Sequence, residues 1–235
     1  MTPILASEAA RQGKLWAELR TSGSSMAWLE FDPADGRNSL CVRELSGSSP
    51  RRLTPSPWSV RSRVHEYGGG SYCWVGRWLV FVNDADQGLY WQCADEPQTP
   101  IRLWYRPGHR YGDLQFDPVR QRLVMVEEIH TGHTVENRLV ALPLWRAGLE
   151  SAGPLQVIAS GADFYSSPCL SPGGEYMAWL SWNHPYQPWR ATALTLTSLD
   201  TAGLVEEALP LVSLQQGISV FQPGFDQSGN LCFVA

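Results

Sequence analysis

Charge is scarce in this sequence: Asp, Glu, Lys and Arg make up 17% of its 235 residues, and the formal net charge is −5. The densest basic group, Arg51, Arg52, Arg61 and Arg63, is interrupted by prolines and apolar residues. A continuous basic face to neutralise phosphates is missing, so wholesale nucleic-acid binding is excluded. No apolar run approaches the roughly 20 residues of a membrane-spanning helix, and no membrane partner is expected. The start, Met1-Thr2-Pro3-Ile4-Leu5, lacks the basic region and apolar run of a signal peptide. Five cysteines (Cys41, Cys73, Cys93, Cys169 and Cys232) are odd in number, and none form a Cys-x-x-Cys pair. Together these features predict a soluble cytoplasmic protein with reduced thiols.

Catalytic signatures are missing as well. There is no Gly-x-Ser-x-Gly elbow to present a nucleophilic serine, and Gly69-Gly70-Ser71-Tyr72-Cys73 fails at its last position. No Gly-Lys-Ser/Thr follows the glycine run, which rules out a phosphate loop. His130-Thr131-Gly132-His133 has neither Cys nor acidic residues spaced to complete a metal shell and reads as an exposed turn. The sequence therefore predicts no catalytic residue, no metal and no cofactor.

Apolar and turn-forming residues are plentiful. Hydrophobic residues account for 43%, with eleven Trp, eight Tyr and seven Phe, beside 21 Gly and 17 Pro. Aromatic side chains suit pleated surfaces and frequent Gly and Pro demand frequent turns, so many short strands are expected.

Those strands repeat. Five apolar runs, Met26–Leu29, Leu79–Val82, Leu123–Val126, Met177–Leu180 and Leu231–Val234, start 53, 44, 54 and 54 residues apart. Runs of four are too short for helices and fit strands buried on both faces. Three are preceded by a strand and turn: Leu114–Pro118, Cys169–Gly174 and Gly224–Gly229, with the Asp/Ser, Pro and Gly chemistry of type I turns. Four are followed by an alternating strand, at Leu40–Val42, Leu89–Trp91, Leu139–Ala141 and Leu194–Leu196. A fourth stretch, as at Leu155–Ile158 or Leu209–Val212, closes the unit. Four strands in each unit of about 40–50 residues mark the blades of a β-propeller. A β-sandwich also has many short strands, but it has no reason to repeat their order. The expected fold is thus all-β: about four four-stranded blades plus part of a fifth, an incomplete ring cut off at Ala235. Residues 1–22 are read as an N-terminal segment with a short helix at Ser7–Gln12, capped by Ser7, and residues 23–235 as the blades.

One local motif could carry chemistry. Arg63-Val64-His65-Glu66-Tyr67-Gly68-Gly69-Gly70 sets a cation, an imidazole, a carboxylate and a phenol beside three glycines that permit close backbone approach. It reads either as a polar constellation at the mouth of the propeller or as a strand junction whose side chains bond neighbouring blades. The proline-stiffened loop His184-Pro185-Tyr186-Gln187-Pro188-Trp189 is a second candidate, for binding or for rigid packing.

The same motif, followed by Val80–Tyr90, resembles the propeller of bacterial dipeptidyl-aminopeptidase/acylaminoacyl-peptidase-like enzymes of the prolyl oligopeptidase family. The likeness continues through Arg110–Asp113, Asp163–Pro168, Leu170–Gly174, Ala178–Pro185, Pro188-Trp189 and Phe221–Pro223, nearly the whole chain in order. It departs at Arg190-Ala191, where an Asp and a small residue are expected, and at Val119-Arg120-Gln121, which replaces a glycine-containing turn. The resemblance implies a non-catalytic, substrate-gating propeller ahead of an α/β-hydrolase domain that lies outside this chain and carries Ser, Asp and His. It implies a peptide substrate, with Arg63, His65, Glu66 and Tyr67 as the residues placed to meet it. A stand-alone protein-binding propeller of the TolB type is the alternative, disfavoured by the lack of a signal peptide. A third reading, an all-β hydrolase or lyase on the propeller axis, lacks converging acids or metal ligands.

Overall fold

The computed structural model describes residues 13–47, 49–96, 99–144 and 153–235. The helix expected at Ser7–Gln12 lies outside them. Among the described residues eighteen strands form five antiparallel sheets, with a single 3-10 turn at Leu214–Gln216. The first sheet holds β1 (Leu15–Ser22), β2 (Ser25–Asp32), β3 (Arg37–Glu44) and β4 (Arg51–Arg52). The second holds β5 (Tyr72–Val75), β6 (Trp78–Val82), β7 (Leu89–Cys93) and β8 (Ile101–Trp104). The third is β9 (His109–Asp117), β10 (Arg122–Thr131), β11 (Thr134–Pro143) and β12 (Gln156–Ala159). The fourth is β13 (Phe164–Leu170), β14 (Tyr176–Trp182), β15 (Ala193–Leu199) and β16 (Val205–Val212); β17 (Phe221–Phe225) and β18 (Leu231–Val234) pair alone.

Within each sheet the strands pair in chain order, so every unit is a meander. The first strands touch one another in succession, β1 with β5, β5 with β9, β9 with β13 and β13 with β17, which puts them along the inner edge. This is an incomplete β-propeller. Residues 15–22, read from sequence as preceding the first blade, are in fact its inner strand.

All five apolar runs fall on the second strands. Period-two alternation explains why such runs are continuous, because each side of the sheet faces a different neighbour. Leu79 and Phe81 pack toward Leu29, Leu40 and Val42 of the first blade, whereas Val80 and Val82 pack toward Leu123 and Met125 of the third. Val124 and Val126 then meet Met177 and Trp179 of the fourth blade. Each side chain so buried contributes on the order of 1.5–3 kcal/mol.

The inner strands share a device that the apolar pattern hides. Glu18, Asp113, Ser167 and Gln222 have φ of 52°, 53°, 53° and 50°. Each sits where the pairing register of its strand breaks, at a β-bulge. A left-handed conformation in a residue other than glycine costs about 1–2 kcal/mol and is offset here by bonds between blades. Glu18 Oε2 accepts from the Ser71 amide at 2.7 Å. Asp113 accepts from Gly70 N–H at 2.5 Å and from Ser167 N–H at 2.8 Å, linking the second, third and fourth blades.

The unexpected turn Val119-Arg120-Gln121 also ties blades together. Arg120 donates to the carbonyls of Gly174 at 2.9 Å and Asp200 at 2.8 Å, both in the fourth blade. Asp117 holds the Arg120 guanidinium at 3.2 Å and that of buried Arg122 at 3.0 Å.

Candidate functional site

The segment Arg61–Gly70 links the outer strand of the first blade to the inner strand of the second and runs over one face of the propeller. Glycines let it lie flat. Gly68 has φ 99°, and a Cβ there would come within 2.9 Å of the Ser62 carbonyl. A Cβ on Gly70 would meet the Arg20 guanidinium at 2.7 Å. Buried Val64 anchors the segment in the core between the third and fourth blades.

The four candidate residues do not converge on one point: Arg63 and Glu66 turn to separate partners, while His65 and Tyr67 stay side by side. Arg63 turns to the β6–β7 loop and pairs with Asp84 at 2.7 Å. Glu66 is exposed and pairs with Arg110 of β9 at 2.7 Å, and this bond holds its carboxyl below the usual range. The His65 backbone N–H donates to Glu128 Oε2 of β10 at 2.7 Å. Its ring is edge-on to Phe164 and Trp182, with both centroid separations 5.4 Å, and those two rings stack at 5.3 Å. Burial lowers the His65 pKa against the opposing charges of Glu128 and Asp113 and the nearby Asn137 side chain, which favour the charged ring. Tyr67 is 60% exposed, and its ring lies 5.6 Å from that of His65.

The other two sequence candidates lie on the same face. His184 stands edge-on to Phe164 at 5.1 Å, and its N–H donates to Asp163, so the proline-rich loop adjoins the His65 cluster. His130, next to last in β10, has Nε2 2.6 Å from Glu128 Oε1, while His133 is exposed in the hairpin turn. Glu66, Glu128 and His130 are close enough together to hold an ion. Arg110 Nη1 already lies 2.7 Å from Glu66 and 3.2 Å from Glu128, so a cation supplied by the chain occupies the gap between them. Burial pushes the Cys73 and Cys169 thiols up to about 12, which leaves neither suited to nucleophilic attack.

Sequence reasoning did not single out Glu18, Asn38 or Glu128 as members of this face. Arg110 and Asp113 stood only inside a family motif, although the pairs Gly112-Asp113, Ser167-Pro168 and Gln222-Pro223 mark three of the bulges. Beside the glycine run a cleft of about 380 Å³ opens toward the first blade, lined by Glu18, Asn38, Arg61, Tyr67 and Gly68–Ser71 among others.

The architecture and this face define the class, an incomplete propeller of four-stranded blades with a polar loop cluster on one face. No family model and no curated protein matches the sequence. Among solved structures, a puromycin-hydrolyzing peptidase of Mycobacterium tuberculosis is 31% identical over 97% of this chain, with a TM-score of 0.82. A puromycin hydrolase is 28% identical over 99%, with a TM-score of 0.83. TolB of Acinetobacter baumannii is more distant, 13% identical over 88% with a TM-score of 0.57, and shares the fold. These matches agree with the likeness of its motifs to the prolyl oligopeptidase family: over nearly its whole length the chain is similar to part of those peptidases. It spans 36–37% of the length of those peptidases.

Proposed function

We propose that this chain is the substrate-gating, non-catalytic propeller part of a cytoplasmic serine peptidase that hydrolyses short peptides, dipeptidyl- or acylaminoacyl-peptidase-like. In this reading an α/β-hydrolase domain of the same polypeptide supplies the triad, and the loop face carrying Arg63, His65, Glu66 and Tyr67 meets the peptide. The carrying observation is the match, over nearly all of this chain, to peptidases about three times as long. The blades support a gate in two ways. Their inner edges are braced across blades by Glu18 and Asp113, which resists opening, and the loop face offers aromatic and charged side chains together. Reduced cysteines suit the cytoplasm.

The test is hydrolysis of a length series, from dipeptides to an unfolded protein, by the whole polypeptide and by a version lacking residues 1–235. The gate predicts a sharp upper length limit that is lost with the propeller. An identical limit in both overturns gating, and a whole polypeptide with no peptidase activity favours the binding propeller instead.

A further inference from the structure

We propose that the cleft between the first blade and the Arg61–Ser71 segment is a carboxylate site, which takes the free C-terminus of a short peptide. Three polar groups line it without any hydrogen bond or ion pair to another described residue: the Arg61 guanidinium, the Asn38 carboxamide and the Tyr67 hydroxyl. Every other charged side chain of the glycine motif is paired: Arg63 with Asp84 and Glu66 with Arg110. Arg61 is exposed, and its backbone is fixed by N–H donation to Val82 O at 3.1 Å and by acceptance from Gln87 Nε2 at 3.1 Å. An unpaired cation on an anchored backbone, beside two neutral hydrogen-bonding groups, is the donor set for a planar anion. A guanidinium matches a carboxylate with two parallel bonds.

The rest of the cleft explains why the anion would be attached to a peptide. The wall at Gly68–Gly70 is glycine backbone, so no side chain of its own stands between it and the extended backbone of a ligand. Ala17, Leu29 and Val60 supply apolar lining for a small side chain. The Glu18 carboxylate in the same cleft accepts from the Ser71 amide through Oε2 and makes no ion pair with Arg61, which leaves the guanidinium available to an incoming anion. A site for the C-terminus, set apart from the catalytic domain, would act as a ruler and favour chains of one length. This inference rests on the peptidase reading for its ligand, but its test does not need catalysis.

The experiment is titration of this 235-residue chain with trialanine and with trialanine amide, followed by heteronuclear NMR. The free acid should bind about tenfold more tightly than the amide, the scale of one lost charge-assisted pair of bonds. R61Q should bring the acid down to the level of the amide, while R61K keeps part of the difference; N38A and Y67F should each cost less. Unchanged dispersion of the spectrum shows that the variants remain folded. Equal binding of acid and amide, no binding of either, or a preference that survives R61Q overturns the site. Displacement by inorganic phosphate at equal concentration overturns the carboxylate assignment in favour of an unselective anion site. Loss of the site together with normal length-limited hydrolysis by the whole polypeptide would refute this inference alone.

Discussion

The second strands of the middle blades and of the fifth sheet are written in the same apolar alphabet, yet they end in different surroundings. Leu79–Val82 and Leu123–Val126 are fully buried, with neighbours on both sides. Leu231–Val234 pairs only with β17, and Phe233 and Val234 are 41% and 57% exposed. At the opposite end of the described strands, Trp16 and Leu19 of β1 are 70% and 66% exposed. A propeller strand thus draws its stability from the blades beside it more than from its own sequence, as expected for a repeat protein built from nearest-neighbour interfaces.

The sharpest way to break this comparison is a matched pair of truncations. Leu123→Ala should destabilise the chain by about 2–5 kcal/mol, because it leaves a cavity between two blades. Phe233→Ala should cost under about 1 kcal/mol, because its ring is half in solvent. Chemical denaturation measures both, and similar costs would remove the distinction.

Asp113 comes next. Asp113→Ala removes two bonds between blades and leaves a strained left-handed residue in place, with an expected loss of about 2–3 kcal/mol. Asp113→Asn keeps one acceptor and should lose less. Arg120→Ala releases two carbonyls of the fourth blade and should cost about 1–2 kcal/mol. A null effect for either would mean that the inter-blade bonds are incidental.

The smallest expected effect is a pH dependence. The pKa of His65 is lowered in the folded chain, so below its ordinary value of about 6.5 the unfolded chain takes up a proton that the folded chain resists. Its contribution therefore makes stability rise with pH up to about 6.5 and then level off. His65→Gln should flatten that slope, as read by melting temperature across pH 5–8, and an unchanged slope would assign the dependence to other groups.

Much of the blade plan could be read from the sequence because burial on two sides leaves a continuous apolar run, and the turns between strands use Asp, Pro and Gly in a fixed order. The inner strand β1 was misplaced for a physical reason. Its bulge at Glu18 interrupts the alternation, and its apolar residues face outward instead of into a core. The bulges themselves use Glu, Asp, Ser and Gln, which carry no strong local signal for a left-handed backbone. The motif Arg63–Gly70 was visible as unusual chemistry, but its partners Asp84, Arg110, Glu128, Phe164 and Trp182 stand 21 to 117 positions away from the residues they meet. Only the fold could show that three neighbouring side chains, Arg63, His65 and Glu66, reach three different blades, or that Arg61 is left unpaired beside the cleft.

The most direct test of the peptidase account is the coding sequence that follows Ala235. The account predicts further blades, then a Gly-x-Ser-x-Gly elbow with Asp and His after it. A stop codon directly after one closed ring, with no elbow, would contradict it and leave a binding propeller.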